Sequence, residues 1–211
     1  MKKEDIIQNL TDRYPELETC RDEILEACNT IISCYENDGK VLVCGNGGSA
    51  ADADHIVGEL MKSFMKSRTI DHSLRERLTG LSAERGACIA EKLQCGLPAI
   101  SLNAHTSLIT AIANDMDADL IFAQQITGYG NRNDVLVAIS TSGNAQNVMD
   151  AAITAKAKGL TVIGLTGKSG GKLKRFCDIS ICVPADSTPE VQEFHLPVYH
   201  TICKIVENSF Y

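Results

Sequence analysis

Short apolar runs recur along this chain, each leading into small or polar loop residues, and most of those loops open a stretch of helical periodicity. Residues 40–44 precede Gly45-Asn46-Gly47-Gly48-Ser49 and a helical pattern over 50–65; residues 99–103 precede one that reaches about Ala113. Residues 135–140 lead to a helical pattern that Gly159 stops, 161–165 lead to Thr166-Gly-Lys-Ser-Gly-Gly171, and 179–183 form the fifth run. Strands buried on both faces read as continuous apolar runs, and right-handed crossovers through helices make their sheet parallel. The pattern predicts an α/β fold: a three-layer sandwich with a five-stranded parallel sheet flanked by helices.

Around that frame, residues 3–37 carry apolar positions at helical spacing, including Ile24, Ala27, Cys28 and Ile31, and predict two helices or one broken near Pro15. A last helix is predicted over about 189–208, with Pro197 kinking it or marking its effective start. Residues 67–94 are charged and yield no strand; they read as an excursion of one or two helices, either a solvated covering element or a lid. At 211 residues the chain is read as one domain, 1–211.

The formal net charge is -7 with the basic residues scattered, which argues against nucleic acid as the main ligand. An anionic small molecule remains compatible, because backbone N–H groups at a helix start hold a phosphate without net positive charge. No stretch has the apolar core of a signal peptide or the roughly 18 apolar residues of a membrane span, so a cytoplasmic location with no membrane contact is expected. The nine cysteines are odd in number and lack C-x-x-C spacing, and they read as reduced thiols with no chemistry assigned.

In an open parallel sheet, ligands bind beyond the carboxyl ends of the strands, and two loops there suit a phosphate. In Gly45-Asn46-Gly47-Gly48-Ser49 three positions lack a Cβ, and Ser49 with Asp52 forms an S-x-x-D capping box for the next helix. Ser140-Thr141-Ser142-Gly143-Asn144 offers three hydroxyls and free N–H groups at a helix start. Either loop alone is also ordinary turn chemistry; the pair suggests a phosphate pocket. Gly45-x-Gly47-x-x-Ala50 meets the dinucleotide fingerprint, but residues 60–66 continue a helix where a second strand is required, so no nucleotide cofactor is expected. His55 and Glu59, four apart, share a helix face about two turns from that end, an arrangement that serves either a surface ion pair or catalysis. Gln192 and His200, eight apart, fall on roughly one side of the last helix.

Taken together, Val-Leu-Val-Cys-Gly-Asn-Gly-Gly-Ser-Ala-Ala-Asp-Ala-Asp-His-Ile-Val-Gly-Glu, Asn114-Asp115, Ser-Thr-Ser-Gly-Asn, Leu-Thr-Gly-Lys and Gln-Glu-x-His-x-x-x-x-His closely resemble the phosphoheptose isomerases of the sugar isomerase (SIS) family. The resemblance covers about residues 38 to 207. It implies conversion of sedoheptulose 7-phosphate to D-glycero-D-manno-heptose 7-phosphate through an enediolate. It also implies a homotetramer with active sites at subunit interfaces, in which residues 1–37 help pack the oligomer. Carried over by motif, Glu59 and His200 are the acid/base pair, and Asn46, Gly47, Gly48, Ser49, Asn114, Asp115, Ser140, Thr141, Ser142 and Gln192 bind substrate. Zinc is implied at His55, Glu59, Gln192 and His200, a plausible donor set. The chain departs from the family pattern at Ala145, where Ser is common, in the longer 67–94 stretch, and at Pro197. An isomerase of another phosphorylated ketose, a scaffold protein and a non-catalytic sugar-phosphate sensor are the alternative readings.

Overall fold

In the computed structural model, which describes residues 2–211, the chain opens with α1 (Lys3–Arg13) and α2 (Arg21–Glu36), joined by a 3-10 stretch at Pro15–Cys20. Pro15 sits at the start of that stretch, where its missing N–H has no partner to lose, so the predicted break falls there. There follow β1 (Val41–Cys44), α3 (Gly48–Met61), α4 (His72–Leu81), α5 (Ala83–Lys92), β2 (Ala99–Ser101), α6 (Thr106–Asp115) and α7 (Ala123–Tyr129). The chain ends with β3 (Val135–Ser140), α8 (Gln146–Lys158), β4 (Thr161–Thr166), β5 (Ile179–Cys182) and α9 (Thr188–Phe210).

All five strands are parallel, in the order β2-β1-β3-β4-β5, with Val41 opposite both Ala99 and Val135. Side chains alternate across the sheet as the two-residue strand period requires. Val41, Val43, Val135, Val137, Ile163 and Leu165 pack under α1, α2, α3 and α9. Leu42, Cys44, Leu136, Ala138 and Val162 pack against α7 and α8 on the opposite face. The chain moves outward from β1 to β2 and then crosses back to β3, so its direction of winding reverses between β1 and β3. That reversal point is where an open α/β sheet presents a crevice.

Two local readings are corrected and two are narrowed. The helix after β1 ends at Met61 rather than near residue 65, because its last carbonyls are taken by the core. Arg68, 1% exposed, donates to the carbonyls of Leu60 (2.6 Å) and Glu59 (3.1 Å), while the Glu207 carboxylate accepts the N–H groups of Phe64, Met65 and Lys66. Residues 62–66 therefore leave the helix, though the strand a dinucleotide fold requires is still absent there: the next strand is β2. The short α7 was not foreseen. It is held by Gln125, whose buried side chain donates to the carbonyls of Leu102 and Ile121 (both 2.8 Å). Helix α9 runs unbroken through Pro197, which is not its start. Finally, residues 67–94 do form two helices, but α4 buries none of its residues and so covers no core. The two helices pack chiefly on each other, Gly86 passing so close to Leu78 that a Cβ would lie 1.9 Å from its carbonyl oxygen.

All nine cysteines are free, and burial pushes the thiols of Cys28 and Cys44 up to about 12, which leaves them unreactive at neutral pH. Among the described residues no helix is long and apolar enough to cross a membrane.

His195 on α9 is fully buried, and neither ring nitrogen has a full hydrogen-bond partner. Burial pushes its pKa from 6.5 down to about 4, against a smaller upward pull from the backbone of Thr166. The unfolded chain therefore takes up a proton that the folded chain refuses. Stability is complete above the unfolded value and is lost as pH falls toward the folded one, by about 3 kcal/mol in all. Urea unfolding at pH 7 and pH 4.5 is expected to show this loss in the native protein and a smaller one in His195→Leu.

Candidate active site

The loops after β1 and β3 face each other across the reversal point and are joined there. Asn46 donates through Nδ2 to Asn147 Oδ1 (2.8 Å), and Asn147 Nδ2 donates back to Asn46 Oδ1 (3.0 Å). From the end of β2, Asn103 donates to the Gly45 carbonyl (2.7 Å) and accepts the Gly45 N–H (3.2 Å). Three strand ends are thus fixed around one crevice. Gly47 has a positive φ of 56° and is the residue that caps α3. The predicted Ser49–Asp52 capping box does not form, because the helix begins at Gly48 and draws Ser49, now buried, into its first turn. The Asp52 carboxylate turns instead to Tyr199.

Ser140 ends β3 and is buried, Thr141 is half-buried, and Ser142 is exposed. Gly143 holds a φ of +64°, and a Cβ there would lie 2.1 Å from the Gly170 carbonyl oxygen, so only glycine fits this turn. Thr141 Oγ1 lies 3.4 Å from Thr188 Oγ1, and the Gln192 side chain rests on Gly48, where a Cβ would come within 2.3 Å of Nε2. The amino ends of α3, α8 and α9 therefore meet at the crevice, and their free N–H groups give it a positive character despite the acidic chain. Ala145 occupies the N-cap of α8 and leaves it without a side-chain acceptor. Ala145→Ser is expected to add about 1 kcal/mol of stability; thermal melting would show it as a rise of about 2–4 °C.

Two turns along α3 a second cluster forms. His55 Nε2 lies 3.2 Å from Glu59 Oε1 and 3.4 Å from His200 Nε2, and the two rings meet edge to face. The Tyr199 hydroxyl lies 3.0 Å from His55 Nδ1 and donates to Asp52 Oδ1 at 3.3 Å. His200 is pushed below its ordinary pKa, first by burial and then by His55 and Lys204. On its far side it borders a cavity of about 130 Å³ between α1 and α9, lined also by Asn9, Arg13 and Lys204.

Of the residues named from sequence, His55, Glu59 and His200 come together. Asn46, Gly47, Gly48, Ser49, Ser140, Thr141, Ser142 and Gln192 gather at the crevice. Asn114 and Asp115 do neither: they lie exposed at the far end of α6, Asn114 donating to Asp115 (2.8 Å). Asn103, Asn147, Thr188, Tyr199 and Asp52 were missed as site residues, although Asn103 directly ends an apolar run and carried a visible cue. For zinc, the donor types suit, and the spacings of 3.2 and 3.4 Å about His55 Nε2 resemble the edges of a tetrahedral site. Gln192 stays at Gly48, and among the described residues no three His, Cys, Asp or Glu side chains close around a common point.

Comparison with known proteins agrees with this architecture. The SIS domain family model matches residues 6–83 and 81–167. The phosphoheptose isomerase of Rhodospirillum rubrum is 39% identical over 202 residues, covering 96% of this chain and 94% of the relative. That of Helicobacter pylori (strain P12) is 38% identical over 194 residues, covering 92% and 88%. Among solved structures, phosphoheptose isomerase GmhA from Neisseria gonorrhoeae superposes with a TM-score of 0.74 at 33% identity, covering 95% of this chain and 94% of that one. A phosphoheptose isomerase from Francisella tularensis gives 0.75 at 31% identity, covering 99% and 100%. The five-stranded parallel sheet, the glycine loop at its reversal point and these relatives together establish that the chain belongs to the SIS-domain family and, within it, to the phosphoheptose isomerases.

Proposed function

We propose that this chain is an aldose-ketose isomerase that converts sedoheptulose 7-phosphate to D-glycero-D-manno-heptose 7-phosphate. The observation that carries this reading is the carboxylate of Glu59 and the imidazoles of His55 and His200 meeting two helical turns from a crevice ringed by helix amino ends. Gly48 and His55 are separated by about 10 Å of helix rise, comparable with an extended seven-carbon chain. The phosphate is held by the N–H groups and hydroxyls of Asn46, Gly47, Gly48, Ser49, Ser140, Thr141 and Ser142, with Gln192 closing over the sugar. Glu59 removes a proton from C1, giving an enediolate, and returns a proton to C2. His200, kept neutral by its burial, moves the proton between the two oxygens. The carbonyl at C2 becomes a hydroxyl, the hydroxyl at C1 becomes the aldehyde, and no atom is gained or lost.

The donor types of His55, Glu59 and His200 suit zinc, and Gln192, which rests on Gly48, would have to move to serve as fourth donor; a bound divalent ion would polarise the substrate carbonyl. Asn114 and Asp115, remote from their own crevice, are read as serving the site of a neighbouring subunit in a homotetramer packed partly through residues 1–37. The location is taken as cytoplasmic.

The reading is tested by offering metal-depleted protein, with and without zinc, sedoheptulose 7-phosphate in competition with fructose 6-phosphate and ribulose 5-phosphate. Preferential formation of the heptose 7-phosphate supports it, and zinc stimulation supports the metal site. Faster turnover of another ketose reassigns the substrate, and binding with no turnover of any of them moves the protein to the sensor or scaffold class.

A further inference from the structure

His55 has two ring nitrogens, and which one carries the proton decides what it offers to Glu59 and His200. The structure contains a device that makes this choice. Tyr199 is 2% exposed, and its hydroxyl sits between His55 Nδ1 at 3.0 Å and Asp52 Oδ1 at 3.3 Å. A hydroxyl has one proton to give. Ionised Asp52 can only accept; its Oδ2 is buried with no partner, and Tyr199 is the hydrogen-bond donor its other oxygen has. Withholding the tyrosine proton would leave a poorly solvated carboxylate without either bond, whereas His55 can supply a proton from its own ring. The direction of both bonds follows: Tyr199 donates to Asp52 and accepts from His55.

We propose that Tyr199 is a positioning residue that holds His55 in the Nδ1–H form and turns its bare Nε2 toward Glu59 and His200. The consequence falls in that corner. A lone pair on Nε2 makes no hydrogen bond with the Glu59 carboxylate 3.2 Å away, so the space between them calls for a hydrogen-bond donor or a cation. A proton carried on His200 Nε2, 3.4 Å distant, meets that need, and so does a cation bound by the same atoms. In either case the Asp52–Tyr199–His55 chain prepares the corner before substrate arrives, much as an outer partner fixes a ligating histidine.

This inference rests on the reading of His55 as a site residue, and it is separated from that reading by a measurement on metal-free protein. Nitrogen-15 spectra at a pH above the ordinary imidazole range, with His55→Gln used to assign the signals, are expected to show a protonated Nδ1 and an unprotonated Nε2 at His55. In Tyr199→Phe, which keeps the ring and loses the hydroxyl, that pattern is expected to give way to a mixture of the two forms. Asp52→Asn, whose amide can donate as well as accept, is expected to populate the Nε2–H form and serves if the first variant folds poorly. An unchanged Nδ1–H pattern in both variants overturns the proposal. Zinc titration then reports on the ligand reading alone: a loss of about 10- to 100-fold in affinity in Tyr199→Phe supports it. Unaltered affinity alongside an altered ring form refutes it while upholding the role of Tyr199.

Discussion

Glu59→Gln is expected to lower kcat about 10²–10⁴-fold while binding of the sugar phosphate persists. The amide has nearly the shape of the carboxylate but cannot take a proton from carbon. The proposed phosphate contacts lie on other residues, at the amino ends of α3, α8 and α9, so KM should move far less than kcat. The same change weakens one zinc donor, and adding excess zinc separates the two effects. If saturating zinc restores turnover, Glu59 acts chiefly as a ligand; if turnover stays low, the lost proton acceptor is responsible, as the proposed mechanism requires.

The second large effect concerns stability. Glu207→Ala is expected to cost about 3–5 kcal/mol, seen as a fall in Tm of about 6–20 °C for a chain of this size. Arg68 and Glu207 are 0% and 1% exposed at the side chain, and Nε meets Oε1 at 2.8 Å. Removing the carboxylate leaves a buried guanidinium unpaired and frees the N–H groups of Phe64, Met65 and Lys66. Burial pushes the Glu207 pKa up, but the N–H groups of Phe64 and Met65 together with Arg68 outweigh it and hold the carboxyl below its ordinary value. Its contribution is therefore present above the unfolded carboxyl pKa and is lost as pH falls through the lower folded value. Because Arg68 also binds the carbonyls of Glu59 and Leu60, kcat should fall alongside Tm. A Tm within about 2 °C of the native protein would contradict this account of how α3 ends.

Much of the frame was legible because its signals are local. Residues 135–140 read as a strand and prove to be β3, since an unbroken apolar run is what burial on both faces requires. Gly159 stops α8 as expected, holding a left-handed φ of 82° at its C-cap. The misreadings arise where a distant side chain overrules a local pattern. Helical periodicity past Met61 looked sound until a buried Arg68 and a glutamate 139 residues further on captured the backbone. The Ser49–Asp52 box had the right spacing, yet Gly47 at positive φ and Tyr199, far away in sequence, assigned both residues elsewhere. Spacing did place His55 and Glu59 on one face, and it placed His200 on the last helix. It could not show that Asn46 and Asn147 clasp each other across the reversal point, because 101 residues separate them.

The most direct test of the central claim is to incubate the protein with sedoheptulose 7-phosphate in D2O and follow the sugar by proton NMR. The proposed mechanism predicts an aldose 7-phosphate carrying deuterium at C2, formed by the native protein and not by Glu59→Gln. A ketose that binds but remains unconverted and undeuterated would contradict it.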